Sequence, residues 1–68
     1  MEKGSININS ADENELKKLP RIGPAMAKRI IEYRNKKGPF KSLNELMNVK
    51  GIGKKTFSMI KPYLRNIR

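Results

Sequence analysis

Apolar residues recur at helical spacing in two stretches of the chain, and a short glycine-containing turn interrupts each stretch. Leu16 and Leu19 precede the first turn, three residues apart. After this turn a single stripe continues at intervals of three and four, through Ala27, Ile30, Ile31 and the stem of Arg34. Residues at these intervals share one face of an α-helix. The pattern therefore predicts a helix on each side of the turn at residues 19–24.

The second stretch has the same arrangement. Leu43, Leu46 and Met47 are predicted to form the buried face of a third helix. Ser42 would begin this helix, with Glu45 completing a capping box three residues later. After the turn at residues 49–53, the inward positions of a fourth helix are predicted to be Phe57, Ile60 and Leu64.

Local residues indicate where the first and fourth helices begin or end. Asp12 and Glu15 can form a capping box at the first helix, and Ser10 with Glu13 offers the same chemistry two residues earlier. Pro62 has no N–H group to donate and should disturb the end of the fourth helix.

A constant shift of 30 residues superimposes the two stretches. It carries Ile22 to Ile52 and Gly23 to Gly53, in the two turns. Caps and core positions match in the same way: Asp12 with Ser42, Glu15 with Glu45, Leu16 with Leu46, Leu19 with Val49, and Ile30 with Ile60. We expect an all-α domain in which two helix-turn-helix halves, neither able to bury its apolar face alone, pack as a pseudo-twofold pair.

The predicted organisation is a single domain, as expected for 68 residues. Residues 1–5 are predicted to be a flexible leader and residues 6–68 the domain. Its parts are a strap at 6–9 with alternating apolar and polar residues, a first repeat at about 12–36, a linker at 37–41 and a second repeat at about 42–64.

Composition limits the chemistry. The chain has no Cys and no His, which excludes catalysis by His or Cys and metal sites built on them. We predict no catalytic residue, no metal site and no small-molecule substrate. Sixteen Lys and Arg against six Asp and Glu give a net charge of +10, which favours an anionic partner such as nucleic acid. Only four aromatic residues argue against a single-strand binder that stacks bases.

The two turns are the candidate binding site. A helix N-terminus presents N–H groups without intrahelical partners and carries partial positive charge. Behind a glycine, where no Cβ blocks approach, it suits a phosphate. Pro24 has no N–H to offer, so the first turn has fewer donors than the second. The predicted DNA-binding residues are Arg21, Ile22, Gly23, Ala25, Met26, Lys28, Lys50, Gly51, Ile52, Gly53, Lys54, Lys55 and Thr56.

A single Gly-x-Gly turn is usually an ordinary connection between helices. Two matched copies with basic flanks favour phosphate binding. Lysines in the first turn of a helix oppose its dipole, at a cost of roughly 0.3–1 kcal/mol each. Lys54 and Lys55 bring no structural benefit there, whereas a phosphate bound at the turn would make their charge favourable. They therefore support this interpretation. By contrast, Lys36, Lys37 and Lys41 fit a solvated surface, and Tyr33 with Tyr63 fits packing.

The chain resembles the tandem helix-hairpin-helix domain of the ComEA family, the DNA receptors of bacterial natural transformation. The resemblance extends from about Ile6 to Leu64 and is carried by the runs 6–11, 19–20, 22–25, 30–34, 38–42, Leu46, 49–56 and 60–64. It implies a SAM-like, RuvA C-terminal-like helical bundle. It also implies double-stranded DNA bound without sequence preference, with each hairpin's backbone holding phosphates on either side of the minor groove.

The resemblance has further implications. It suggests an extracytoplasmic location in bacteria, membrane-anchored or periplasmic, with a cytoplasmic location as the alternative. Other DNA-uptake proteins are candidate partners, and the isolated domain is expected to be a monomer. In related hairpins, turn carbonyls hold a monovalent cation. Here these would be the carbonyls of Leu19 and Ile22 or of Val49 and Ile52, and no other cofactor is expected.

The chain departs from the family at Arg21, where the first hairpin usually has Gly. This residue either strains the turn or adds a phosphate contact. Two other functions remain as alternatives: a DNA-positioning module of a repair or recombination protein, and a protein-interaction domain. A helix-hairpin-helix glycosylase is disfavoured, because the chain is short and has no suitably placed carboxylate after either hairpin.

Overall fold

A computed structural model describes residues 2–67, so Met1 of the predicted leader and Arg68 at the predicted domain end lie outside it. The described chain is helical, and the all-α prediction is confirmed. The α-helices are α1 (Glu13–Lys17), α2 (Pro24–Lys37) and α3 (Lys54–Ile60). Two 3₁₀ helices complete the fold: η1 (Leu43–Asn48) and η2 (Lys61–Tyr63).

Helix α1 begins as the acidic pattern predicts. The Asp12 carboxylate accepts the N–H of Glu15 at 2.8 Å, and the Glu15 carboxylate accepts the N–H of Asp12 at 3.4 Å. The capping box therefore forms at Asp12 rather than at Ser10. Helix α2 begins at Pro24, whose missing N–H costs nothing at a first helical position. It ends at Lys37, and the φ of 85° at the following Gly38 suits a residue without a Cβ.

The third predicted helix is a 3₁₀ helix, and Ser42 does not cap it with its side chain. The capping box predicted there is therefore wrong. Glu45 is engaged elsewhere: one carboxylate oxygen accepts the N–H of Lys41 at 2.7 Å and the other the hydroxyl of Tyr33 at 3.4 Å. Met47 is also wrongly placed in the predicted core, since its side chain is 37% exposed. In a tighter helix its position turns away from the stripe of Leu46.

Most of the remaining predicted core positions are buried, in one cluster that both repeats share. It contains Leu16, Leu19, Ile22, Ala27 and Ile30 from the first repeat, and Leu46, Val49, Ile52, Phe57, Ile60 and Leu64 from the second. Ile31 and Leu43 pack against this cluster while partly exposed. Phe40 of the linker is fully buried and stacks on Tyr33, with ring centroids 5.1 Å apart.

The strap closes the domain. Ile6 and Ile8 are buried, and Ile6 forms an isolated parallel bridge with Leu64 at the other end of the chain. The Arg34 guanidinium donates to the carbonyls of Ile8 and Ala11, each at 2.9 Å. Helix α3 gives way to η2 at Lys61, as predicted from Pro62. After η2 the chain runs back toward the strap, where Leu64 pairs with Ile6.

Candidate nucleic-acid interface

The two turns have nearly the same backbone conformation. Arg21 and Gly51, which occupy matched positions, have φ of 65° and 98°. The next residue of each turn is buried, Ile22 with 5% and Ile52 with 3% of its surface exposed. Both side chains therefore anchor the turns in the core, and only their backbone atoms could face a ligand.

The glycines that follow are equally well matched. Gly23 has φ −99° and ψ −173°, and Gly53 has φ −95° and ψ −174°. These are extended angles that any residue adopts. A Cβ added to either glycine would meet no protein atom within 4 Å. Neither backbone strain nor crowding within the described chain thus requires a glycine at these two positions.

The N–H groups behind these glycines have no acceptor in the described part of the chain. In the second turn they belong to Gly53, Lys54, Lys55 and Thr56, and no side chain caps α3. In the first turn they belong to Gly23, Ala25 and Met26, and no side chain caps α2. Each turn therefore presents a small group of outward N–H donors.

Cationic side chains surround these donors. Lys50, Lys54 and Lys55 are exposed at the second turn, and Arg21 and Lys28 are exposed at the first. The first turn of α2 and that of α3 contain no acidic residue. The positive helix ends are therefore not neutralised within these elements, and an anion approaching either turn would meet favourable charge.

The structure brings the two turns close together on one surface. A Cβ on Gly51 would lie 2.6 Å from Met26 Cε, 3.1 Å from Met26 Sδ and 3.3 Å from Arg29 Nη1. Arg29 also donates to the carbonyl of Lys50 at 3.5 Å. The start of α2, which follows the first turn, thus covers the second turn.

A reciprocal contact joins the other turn to the other helix. Arg21 Nη1 lies 3.8 Å from Met59 Sδ on α3. The shift of 30 residues carries Arg21 to Gly51 and Arg29 to Met59, so these two contacts correspond. This reciprocity is what pseudo-twofold packing predicts. No residue spacing within one repeat could have revealed it.

Two of the four carbonyls considered for a monovalent cation already accept hydrogen bonds within the turns. Leu19 O accepts the N–H of Ile22 at 3.2 Å, and Val49 O accepts that of Ile52 at 3.0 Å. A carbonyl has two lone pairs, so each oxygen retains one that could face a ligand.

Comparison with known proteins identifies the fold. A family model described as the helix-hairpin-helix motif matches residues 2–65. The chain belongs to the helix-hairpin-helix family. Membership of this family supports DNA binding as its function.

Three relatives show how this domain recurs. ComE operon protein 1 of Bacillus subtilis is 41% identical over 56 residues, which are 82% of this chain and 27% of that protein. A human protein named endonuclease/exonuclease/phosphatase family domain-containing protein 1 is 41% identical over 56 residues, or 82% of this chain and 10% of that protein. An uncharacterized protein of Haemophilus influenzae is 44% identical over 52 residues, or 75% of this chain and 46% of that protein.

The chain thus spans less than half the length of each of these relatives. The Bacillus relative and the family match together confirm the resemblance drawn from the sequence. Among the residues that the structure describes, no helix has the length and apolar character needed to cross a membrane. Over the same residues, no group of three or more potential Asp, Glu, His or Cys ligands is gathered for a metal ion.

Proposed function

We propose that this domain binds double-stranded DNA without sequence preference, through phosphates held at its two hairpin turns. The observation that carries the proposal is the pair Gly23 and Gly53. Both lie in open space with ordinary backbone angles, directly before uncapped helix N-termini. Because the described fold does not require a glycine there, the absent side chains leave room for something outside the chain. Free N–H groups and positive charge make that partner an anion.

Duplex DNA fits this arrangement better than an isolated anion does. Two equivalent sites lie on one surface, joined by the contact of Met26 and Arg29 with Gly51. Two sites related by a pseudo-twofold axis suit the two antiparallel strands of a duplex, each strand supplying a phosphate beside the minor groove. The N–H donors of each turn would bind the phosphate oxygens, and the lysines would add electrostatic attraction. Phosphate contacts carry no sequence information, so binding should be nonspecific.

The second turn should bind more strongly than the first. It offers four N–H donors against three and gathers Lys50, Lys54 and Lys55. The first turn lacks a donor at Pro24. Thr56, which is partly buried, adds a hydroxyl to the second turn.

A fluorescence anisotropy titration tests the proposal. Labelled duplex, single-stranded and scrambled-sequence duplex DNA would be titrated at several salt concentrations. We expect duplex binding with Kd of about 10⁻⁴–10⁻⁶ M at physiological salt, weakening as salt rises and independent of sequence. Absence of duplex binding, or binding that does not change with salt, would refute the proposal.

Charge reversal at the second turn gives a sharper test. Changing Lys54 and Lys55 to Glu should lower duplex affinity more than tenfold while improving the interaction with the α3 dipole. Changing Lys36 and Lys37 to Glu alters net charge equally at the far end of α2 and is the matched control. Equal losses in the two variants would mean that overall charge, rather than the second turn, controls binding.

The biological setting that we infer is DNA uptake during natural transformation. It rests on the Bacillus relative, whose name assigns it to the ComE operon. The vertebrate relatives support a second setting, in which the same kind of domain positions DNA for a protein of the endonuclease/exonuclease/phosphatase family. In both settings the domain binds DNA and performs no catalysis. Transformation frequency and sensitivity to DNA damage, measured in a strain carrying the Lys54 and Lys55 substitutions, would separate the two.

A further inference from the structure

Beside the second repeat, an open depression of about 680 Å³ lies where the two ends of the chain meet. Gly4 N–H donates to the carbonyl of Pro62 at 3.0 Å, and Arg65 N–H donates to the carbonyl of Ile6 at 2.7 Å. These bonds hold Gly4 of the predicted leader against η2, and the start of the strap against the segment that follows η2. The depression, here called the terminal groove, is open to solvent and large enough for a phosphodiester group.

The terminal groove is strongly basic. Lys3, Lys61 and Arg65 line it, and the described residues that line it include no carboxylate. All three cationic residues are exposed. Ser58 and Asn66 add polar groups to the wall, so an anion in the groove would meet both charge and hydrogen-bond donors.

Helix α3 connects the groove to the second hairpin turn. Lys54, Ser58 and Lys61 are spaced at i, i+4 and i+7, which places them on one face of the helical segment. The distance from Lys54 to Lys61 along a helix axis is about 10 Å, at 1.5 Å per residue. The N–H groups of the turn point along this axis, so a phosphate held by them lies beyond one end of α3 and the groove lies beside the other end. A phosphate in the groove is therefore a contact separate from the one at the turn.

The matching part of the first repeat has a different backbone and different residues. The positions that match Ser58, Lys61 and Arg65 are Lys28, Ile31 and Asn35, within an α2 that continues unbroken to Lys37. The position that matches Leu64 is Arg34, whose guanidinium is occupied by two carbonyls of the strap. The groove is thus a specific product of the break at Pro62, and it makes the two halves unequal.

We propose that the terminal groove is an additional DNA-backbone site, at which Lys3, Lys61 and Arg65 bind a phosphate beyond the one held at the second turn. This inference rests on the proposed function. It adds a contact with the DNA backbone at the other end of α3. The groove belongs to the second repeat alone, so it would also orient the domain on an otherwise symmetric duplex backbone.

A double substitution of Lys3 and Arg65 by Gln tests the groove. Lys61 is left in place because its ammonium lies 5.8 Å from the centre of the Phe57 ring, which it helps to cover. The backbone bonds of Gly4 and Arg65 are retained in the variant, and a thermal melt would verify its fold. Lys36→Gln with Lys37→Gln, at the end of α2, is the matched control. Lys3→Arg with Arg65→Lys keeps both charges.

The measurement is duplex affinity as a function of salt. We expect the slope of log Kobs against log salt to become shallower by about 0.9 for each phosphate that the variant no longer neutralises. The control pair should change it less, and the charge-preserving pair should retain the native slope. If the groove pair and the control pair are indistinguishable while the Lys54 and Lys55 variant still loses affinity, the groove proposal is refuted and the hairpin proposal stands. If the unsubstituted domain does not bind duplex DNA, both are refuted.

Discussion

Arg21 and Gly51 hold the same position in the two hairpin turns, and both have a left-handed backbone, with φ of 65° and 98°. Glycine adopts this conformation readily, whereas other L-residues do so at a cost of roughly 1–2 kcal/mol. The first turn therefore contains strain that the second avoids. Of the two roles left open for Arg21, the structure supports strain, and its exposed guanidinium remains available for a phosphate.

Replacing Arg21 by Gly should separate stability from binding. Relief of the left-handed strain should outweigh the extra entropy of glycine in the unfolded chain, so we expect stabilisation of about 0.5 kcal/mol. For a domain of this size that corresponds to an increase in Tm of about 2–4 °C. Duplex affinity should fall, because a cation beside the first turn is removed. Arg21→Ala is the control: it removes the charge but keeps the strain, so only affinity should change.

Gly51→Ala should destabilise the domain by roughly 1–2 kcal/mol, measured by urea denaturation, because alanine is strained at φ 98°. The new Cβ would also approach the Met26 methyl group, but that is the end of a flexible side chain and can move aside. Gly51→Ala should therefore lower stability by the same amount in the native protein and in the Met26→Ala variant. Coupling of less than about 0.5 kcal/mol in this double-mutant cycle would support backbone strain as the cause. Strong coupling would instead assign the requirement for glycine to the contact with Met26.

Gly53→Ser should improve the fold and impair the function. Serine is a good N-cap residue, and its hydroxyl would accept an N–H from the first turn of α3. We expect unchanged or slightly raised Tm, since the space around this position is open. The same hydroxyl would occupy a donor proposed to bind phosphate, and the side chain would block approach, so duplex affinity should fall several-fold. Unaltered affinity in a folded Gly53→Ser variant would contradict the proposed role of these N–H groups.

Asn9→Ala should destabilise the domain without changing how the folded protein binds DNA. The Asn9 side chain accepts the N–H of Phe40 at 2.7 Å and donates to the carbonyl of Phe40 at 3.1 Å. Its removal leaves two partly buried backbone groups without these partners, at a cost of about 1–3 kcal/mol. Asn9→Asp keeps the acceptor and loses the donor, so its denaturation midpoint should lie between those of the native protein and Asn9→Ala. A midpoint unchanged in Asn9→Ala would show that the strap does not anchor the linker.

Much of the fold follows from local patterns. The stripe through Ala27 and Ile30, the capping box at Asp12 and the break at Pro62 each depend on residues a few positions apart. Helix geometry and proline chemistry make such patterns informative by themselves. The repeat of 30 residues indicated that the second turn resembles the first, and the backbone angles at Gly23 and Gly53 agree closely.

Errors arose where distant residues compete for local groups. Glu45 appears in the sequence as half of a capping box, but Tyr33 and the Lys41 N–H take its carboxylate. The segment that it should have started is a 3₁₀ helix, and Met47 consequently faces solvent. Similar local sequences in the two repeats therefore led to different helices, because their tertiary surroundings differ.

By itself, the sequence determined the helices of the first repeat, the two glycine turns, the anchoring isoleucines and a strongly basic charge. These depend on backbone geometry and composition, which act over a few residues or over the whole chain. Only the tertiary structure decided that Arg29 and Met26 cover the opposite turn, that Asn9 holds Phe40, and that the chain ends form a basic groove. Such contacts join residues far apart in the chain, and their geometry follows from how the two repeats pack rather than from any spacing within them.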